Sequence, residues 1–299
     1  MEYPAKILLF GEYGIILNSM ALAMPYSRFS GKFAFIGETQ NNNSDTATKS
    51  NESLKRLLSY LHSAHLQNVN LIRFENELND GLFFDSTIPV GSGLGSSGAV
   101  TAAVYDRYVT HTHSNEYQLI KKELAEIETC FHGFSSGFDP LISLLKQPVL
   151  IENPQSVITD VDLTRFFNTY TIYLINTHSQ GNTNKLVSHF IEQYRLPDFK
   201  EVIDRQYIPL VNRTIETIIS PDFKSLENSL SAYSEFQLTH FEKMIPQEMK
   251  IYFRHGIESG DFHLKLCGSG GGGYILGIAH DNKKADAYFN LNHLDYTVV

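Results

Sequence analysis

Cysteine is nearly absent: the chain has two in 299 residues, Cys130 and Cys267. They form no CxxC pair, so neither a disulfide framework nor a cysteine-based zinc site is expected, and a reducing cytoplasm is the expected setting. Positive charge is also scarce, with 24 Lys+Arg against 33 Asp+Glu and a formal net charge of −9. That balance argues against a nucleic-acid partner and leaves room only for a local basic pocket that holds a small anion. No run approaches the roughly 18 apolar residues of a membrane span, so no membrane partner is expected. The opening MEYPAKILLFGEYGIIL has an acidic second residue. It has no basic region ahead of its apolar run and no small-residue cleavage site, so it reads as a strand of the mature protein and not as a signal peptide. No internal repeat is visible. The remainder is ordinary, 42% hydrophobic and 19% charged, as in a globular chain that forms one large domain or two lobes.

Periodicity sorts most of the chain into strands and helices. AKILLFGEYGIIL reads as a strand, a break at Gly11 and a second apolar strand, and FSGKFAFIG as a further strand. The polar stretch TQNNNSDTATKSNES reads as an exposed loop. SLKRLLSYLHSAHL has leucines at helical spacing. VNLIRFENEL and GLFFDSTIPV alternate as strands do. SGAVTAAVYDRYVTHTH, entered through small hydroxyl residues that can cap it, reads as a buried helix, and QLIKKELAEIETCF as a second one. TYTIYLINT is a strand. From about residue 182 to 246 the text is helical, with a break near Ser220. FHLKLCGSGGGGYILGIAH reads as strand, glycine loop and strand, and the end of the chain as a helix and a closing strand. The pattern is α+β with two lobes, a sheet-rich one over residues 1–170 and a helix-plus-sheet one over residues 171–299, although no linker-like composition marks the boundary.

Three stretches carry chemistry. IPVGSGLGSSGAV places glycines at 91, 93, 95 and 98 between a strand and a helix. The first turn of a helix offers unpaired backbone N–H groups and the positive end of the helix dipole, and glycines let an anion come close. No lysine follows the last glycine, so the common phosphate-loop pattern is not met, and the GxGxxG order of dinucleotide folds is missing as well. In ETCFHGFSSGFDP, Glu128 and Asp139 flank a Gly/Ser-rich break. One carboxylate could hold a cation while the other accepts a proton, yet alone the segment reads more simply as a helix end with a capping aspartate. KLCGSGGGGYILG carries glycines at 268 and at 270 to 273. Four consecutive glycines cost conformational entropy that a hairpin does not require, so close backbone approach is expected there. Lys6 lies within the apolar run AKILLF, which calls for a buried lysine with a partner.

Taken together and in this order, the three stretches resemble the GHMP kinases, from PAKILLFGEYGII to the glycines near Gly273, and among them the mevalonate kinase branch most. The matching segments are PAKILLFGEYGII, E…HGFSSGFDP and INTHSQGNTNKLV. The chain departs from that branch at Tyr13, where a histidine is usual, and at Gly181, where a basic or bulkier residue is expected. The resemblance implies the two-lobed GHMP kinase fold and transfer of the γ-phosphoryl group of ATP to an alcohol, with mevalonate as the first acceptor to test. Phosphomevalonate, the acceptor of another GHMP kinase, and a degenerate ligand-binding homologue stand as alternatives. By the same resemblance Gly91, Gly93, Leu94, Gly95, Ser96, Ser97 and Gly98 hold the ATP phosphates, and Ser97 and Glu128 hold Mg²⁺. Asp139 accepts the hydroxyl proton with Lys6 beside it, and His132 orients the turn and is not the base. Glu12, Tyr13, Ser136, Thr183, Gly270 and Gly271 line the acceptor side. The expected partner is a small-molecule substrate, with homodimerisation left open.

Overall fold

The computed structural model describes residues 1–37, 44–64, 66, 68–110, 116–153, 156–220, 223 and 225–299, without the side chains of Ser44 and His132. These residues group into two compact units. One comprises Met1–Lys6, Pro25–Pro89 and Gly95–Lys146, and the other Ile7–Met24, Val90–Leu94 and Gln147–Val299. Among the described residues no helix is long and apolar enough to cross a membrane.

The first unit begins with the start of β1 (Tyr3–Phe10) and contains most of β2 (Ala21–Phe35). Its other elements are α1 (Ser44–Ala64), α2 (Leu71–Asn79), β3 (Leu82–Ser86), α3 (Ser96–Tyr108), α4 (Tyr117–His132) and α5 (Phe138–Leu145). β2 pairs antiparallel with β3, from Gly31 opposite Ser86 to Phe35 opposite Leu82. Three expectations fail nearby, each for a physical reason. Residues 44–53 of the polar stretch are helical, while residues 39–43 lie outside the described residues. Ser50 exchanges hydrogen bonds with the backbone of Phe84, and Asn51 donates to the carbonyls of Leu78 and Leu82. Ser50 and Asn51 therefore dock on and beside β3, while Asp45, Thr46, Thr48, Lys49 and Glu52 of the same segment stay exposed. VNLIRFENEL is not a strand: Asn70 caps α2 by accepting from Arg73 N–H, and Phe74 and Leu78, four residues apart, are buried. That cap and one-sided burial, about 1.5–3 kcal/mol per large apolar side chain, outweigh the alternation in the text. After Gly11, GIIL forms a short 3₁₀ turn, Gly14–Leu17, instead of a second strand, because Tyr13 adopts a left-handed φ of 58° that ends the extended run.

The second unit adds β4 (Val149–Asn153), β5 (Ser156–Ile158), α6 (Thr164–Thr169), β6 (Thr171–Asn176) and α7 (Thr183–Tyr194). Then come α8 (Pro197–Val202), α9 (Ile208–Ile219), α10 (Leu226–His240) and α11 (Lys250–Ser259). The chain closes with β7 (His263–Leu266), β8 (Tyr274–Ala279), α12 (Asn282–Leu291) and β9 (Tyr296–Val298). The first residues of β2 pair antiparallel with β4, Ala21 opposite Ile151. A four-stranded sheet runs β7-β8-β6-β9, with Tyr173 opposite Gly277 and Leu264 also opposite Gly277. The helix-rich text from 182 to 246, the strand–loop–strand at 263–279 and the closing helix and strand form as read. α10 and α11 pack on β7, and Tyr173, Phe253, Leu264, Leu276 and Phe289 are buried in this unit.

Candidate active site

In the first unit the β1–α5 register brings a lysine to a carboxylate. Ser143 Oγ donates to the carbonyl of Pro4 at 2.8 Å, and one helical turn earlier Asp139 Oδ2 meets Lys6 Nζ at 3.0 Å. Residues 139 and 143 share a face of α5, as i and i+4 do in a helix, and residues 4 and 6 share a side of β1. The Lys6 side chain is 3% exposed and that of Asp139 34%, so the ammonium is sealed while the carboxylate remains open to an incoming group.

The N-terminus of α3 closes on this pair. Gly95, with φ +76°, has room only for hydrogen: a Cβ there would lie 2.9 Å from Lys6 Cγ. At Gly98 a Cβ would stand 2.9 Å from the backbone of Asp139 and Pro140. The helix start, with its outward N–H groups, is thus held against the lysine–carboxylate pair. In the first turn of α3, Ser97 Oγ donates to Glu128 Oε1 at 2.9 Å, and Ser135 Oγ donates to Glu128 Oε2 at 2.5 Å. Burial pushes the Glu128 carboxyl up to about 7, and the neighbouring Asp139 carboxylate adds to the rise against the two serine hydroxyls and Lys6. Among the described residues no three His, Cys, Asp or Glu gather into a metal cage. A hydroxyl and a carboxylate 2.9 Å apart suit a hard cation that takes its remaining ligands from phosphate and water.

The second unit gathers a different set. The loop after Val90 packs backbone on backbone with the glycine loop that follows β7. A Cβ on Gly93 would lie 2.2 Å from the carbonyl of Cys267, and Tyr274 N–H donates to the Ser92 carbonyl at 3.2 Å. Gly273 N–H donates to Ser179, and Gly271 N–H to Met244. Gly181 is accounted for here: a Cβ would come within 2.4 Å of the Gly270 carbonyl, so no larger residue fits. Tyr13 OH donates to the carbonyl of Ser269 at 2.6 Å, and Ser269 Oγ donates to Thr183 Oγ1 at 3.0 Å. Tyr13, Thr183, Gly270 and Gly271 therefore converge around Ser269.

The structure brings together Lys6, Gly95, Ser97, Gly98, Glu128 and Asp139 in one unit, and Tyr13, Gly91, Gly93, Thr183, Gly270 and Gly271 in the other. Glu12 stands apart from both. Its carboxylate is sealed against Lys265 and Tyr233, so it presents nothing to an acceptor. Leu94 is fully buried and can offer only its backbone. Ser96 opens α3, while the Ser136 hydroxyl accepts from the N–H of Phe138 at the start of α5. The His132 side chain lies outside the described residues. Sequence reasoning missed Ser135, whose only signal was its place in a pair of serines, and Lys265, whose partner lies 253 residues away.

Residues 54–147 match the family model of the GHMP kinases N terminal domain. A mevalonate kinase of Thermococcus onnurineus is 25% identical over 94% of this chain and 89% of its own length. The structure of L. major mevalonate kinase in complex with R-mevalonate superposes with a TM-score of 0.62 at 17% identity, covering 97% of this chain and 89% of that one. Lactococcus lactis galactokinase complexed with galactose gives a TM-score of 0.67 at 14% identity, covering 100% and 91%. Residues 54–147 thus match a GHMP kinases N terminal domain, and the chain is similar over most of its length to mevalonate kinases.

Proposed function

We propose that the protein transfers the γ-phosphoryl group of ATP to the alcohol of a small hydroxy acid, with mevalonate as acceptor. The observation that carries this reading is the Lys6–Asp139 pair, 3.0 Å apart with only its carboxylate open, at the first turn of α3. Phosphoryl transfer requires alignment and charge neutralisation more than covalent help, and these residues supply both. The N–H groups at the start of α3 bind phosphate oxygens. Asp139 takes the proton of the acceptor hydroxyl as its oxygen attacks the γ-phosphorus and the bond to the β-phosphate bridge oxygen breaks. Lys6, held in place by its ion pair, sets a fixed positive charge beside Asp139. Ser97 and Glu128 would hold Mg²⁺, which when bound offsets the charge of the β- and γ-phosphates. The acceptor-side residues that the resemblance implies, Tyr13 and Thr183, meet at Ser269 within the second unit.

The test is turnover of purified protein with ATP and Mg²⁺ against mevalonate, phosphomevalonate, homoserine and simple sugars. Phosphorylation of mevalonate with the highest kcat/KM supports the assignment. Preference for phosphomevalonate would move the acceptor one step along, and turnover of none of the panel would end the catalytic reading.

A further inference from the structure

The second unit contains a buried ion pair to which the mechanism gives no part. Lys265, the third residue of β7, and Glu12, just before the left-handed Tyr13, are 2% and 1% exposed. The Lys265 ammonium uses all three donors, on the Glu12 carboxylate, the Leu8 carbonyl at 3.3 Å and the Leu266 carbonyl at 2.6 Å. Glu12 is equally saturated. Tyr233 OH donates to its second carboxylate oxygen at 2.7 Å, and Tyr207 OH donates to its main-chain carbonyl at 2.8 Å. Nothing in this cluster is left over to bind a ligand. Buried pairs of this kind are a poor source of stability, because desolvation offsets their attraction, and their best-attested use is to fix register.

The register at stake is that of two chain segments. Lys265 and Leu266 end β7, and the loop that follows, residues 268–273, has five glycines with positive φ and Ser269 as its only side chain. Such a loop cannot hold its own conformation. It is tied from outside, and two of the ties reach the segment around Glu12: Glu12 to Lys265, and the very next residue, Tyr13, to the carbonyl of Ser269. Ser269 in turn bonds Thr183.

We propose that the Glu12–Lys265 pair is a positioning device for the acceptor side of the site: it sets the register of the Glu12–Tyr13 turn against the 268–273 loop, and so places the Tyr13 hydroxyl, Ser269 and Thr183. The inference rests on the acceptor-side assignment above. It makes Lys265 and Glu12 specificity-bearing residues that never touch substrate.

Because Lys265→Met alone strands a buried carboxylate and can unfold the chain, the informative variant is the neutral pair Glu12→Gln/Lys265→Met, studied beside Tyr13→Phe. The expected result is a folded double variant whose acceptor KM rises at least tenfold while its ATP KM stays within twofold, with faster amide hydrogen exchange confined to residues 268–273. Tyr13→Phe should raise the acceptor KM in the same direction, and the two changes combined should be less than additive, because they loosen one register. Hydrogen exchange is read without turnover. If the wild-type protein phosphorylates nothing, the functional reading fails, while loosening of 268–273 still decides the positioning role. A double variant with wild-type exchange in that loop, or with exchange raised evenly over the whole unit, would overturn the proposal.

Discussion

The molecule holds two lysine–carboxylate pairs, and they differ in what is left unsatisfied. Lys6–Asp139 has a sealed ammonium and a carboxylate with a 34% exposed side chain. Glu12–Lys265 is sealed on both sides, with tyrosines and main-chain carbonyls filling every remaining position. An open carboxylate beside a fixed positive charge can take up a proton during a reaction. A saturated pair has no position open to a reactant, and its directional bonds fix where the chain goes. Both lysines sit in apolar strands, yet only the first has a carboxylate partner left open.

The largest effect expected is on the open pair. Asp139→Asn keeps the shape and removes the base, so kcat should fall on the order of 10³-fold, with nucleotide affinity measured by calorimetry little changed. Near-normal turnover would remove Asp139 from the mechanism. Next comes stability, where the two pairs should part company. Lys265→Met leaves Glu12 buried and uncompensated, at a cost of about 3–5 kcal/mol. Lys6→Met leaves Asp139 free to rehydrate, at a cost of about 1 kcal/mol or less. Urea midpoints of the two variants measure the difference, and equal losses would erase the contrast.

How far the sequence revealed this depends on how local each cause is. Lys6 was readable because a lysine inside AKILLF cannot be buried alone, and the anion-binding helix start because glycines and small hydroxyls flank a break. Asp139 became a partner for Lys6 only through the family pattern, since residues 6 and 139 carry no mark of each other. Lys265 was not readable: in HLKL it alternates with leucines as a half-exposed strand residue would, and its burial is decided by Glu12. For the same reason only the first turns of α1 read as a loop: Ser50 and Asn51 find their partners at Phe84, Leu78 and Leu82, far along the chain. Ser135 and Ser136 look identical as text; only the turn that follows α4 aims the first at Glu128 and the second at α5.

The Glu128 carboxyl gives the first unit a pH signature. Its folded value of about 7 lies above the ordinary 4.5. Between these values the folded protein binds more protons than the unfolded one, so the nucleotide-free protein should lose stability as pH rises from about 4.5 through about 7 and level off above that. Thermal melting across that window checks the slope, and Glu128→Gln, which cannot ionise, should flatten it. A slope that survives Glu128→Gln belongs to another group.

The smallest effect should come from Ser135, whose partner is the candidate metal ligand Glu128. Its hydroxyl donates to Glu128 Oε2 and accepts from Gly137 N–H at 2.9 Å. It therefore orients the carboxylate that would hold the metal and opposes the rise that burial imposes on it. Ser135→Ala removes both influences while Ser97 keeps the other carboxylate oxygen. Loss of such an orienting group typically costs about tenfold in metal affinity. The Mg²⁺ concentration for half-maximal turnover should rise by about that factor, with kcat at saturating Mg²⁺ close to wild type. Tyr233→Phe makes the matching change at the sealed pair, removing one hydroxyl from Glu12. If the open and sealed pairs differ as argued, it should leave the Mg²⁺ requirement alone and lower only the melting temperature, whereas a shift in Mg²⁺ requirement of the same size in both variants would mean that the two carboxylates are not separate in function.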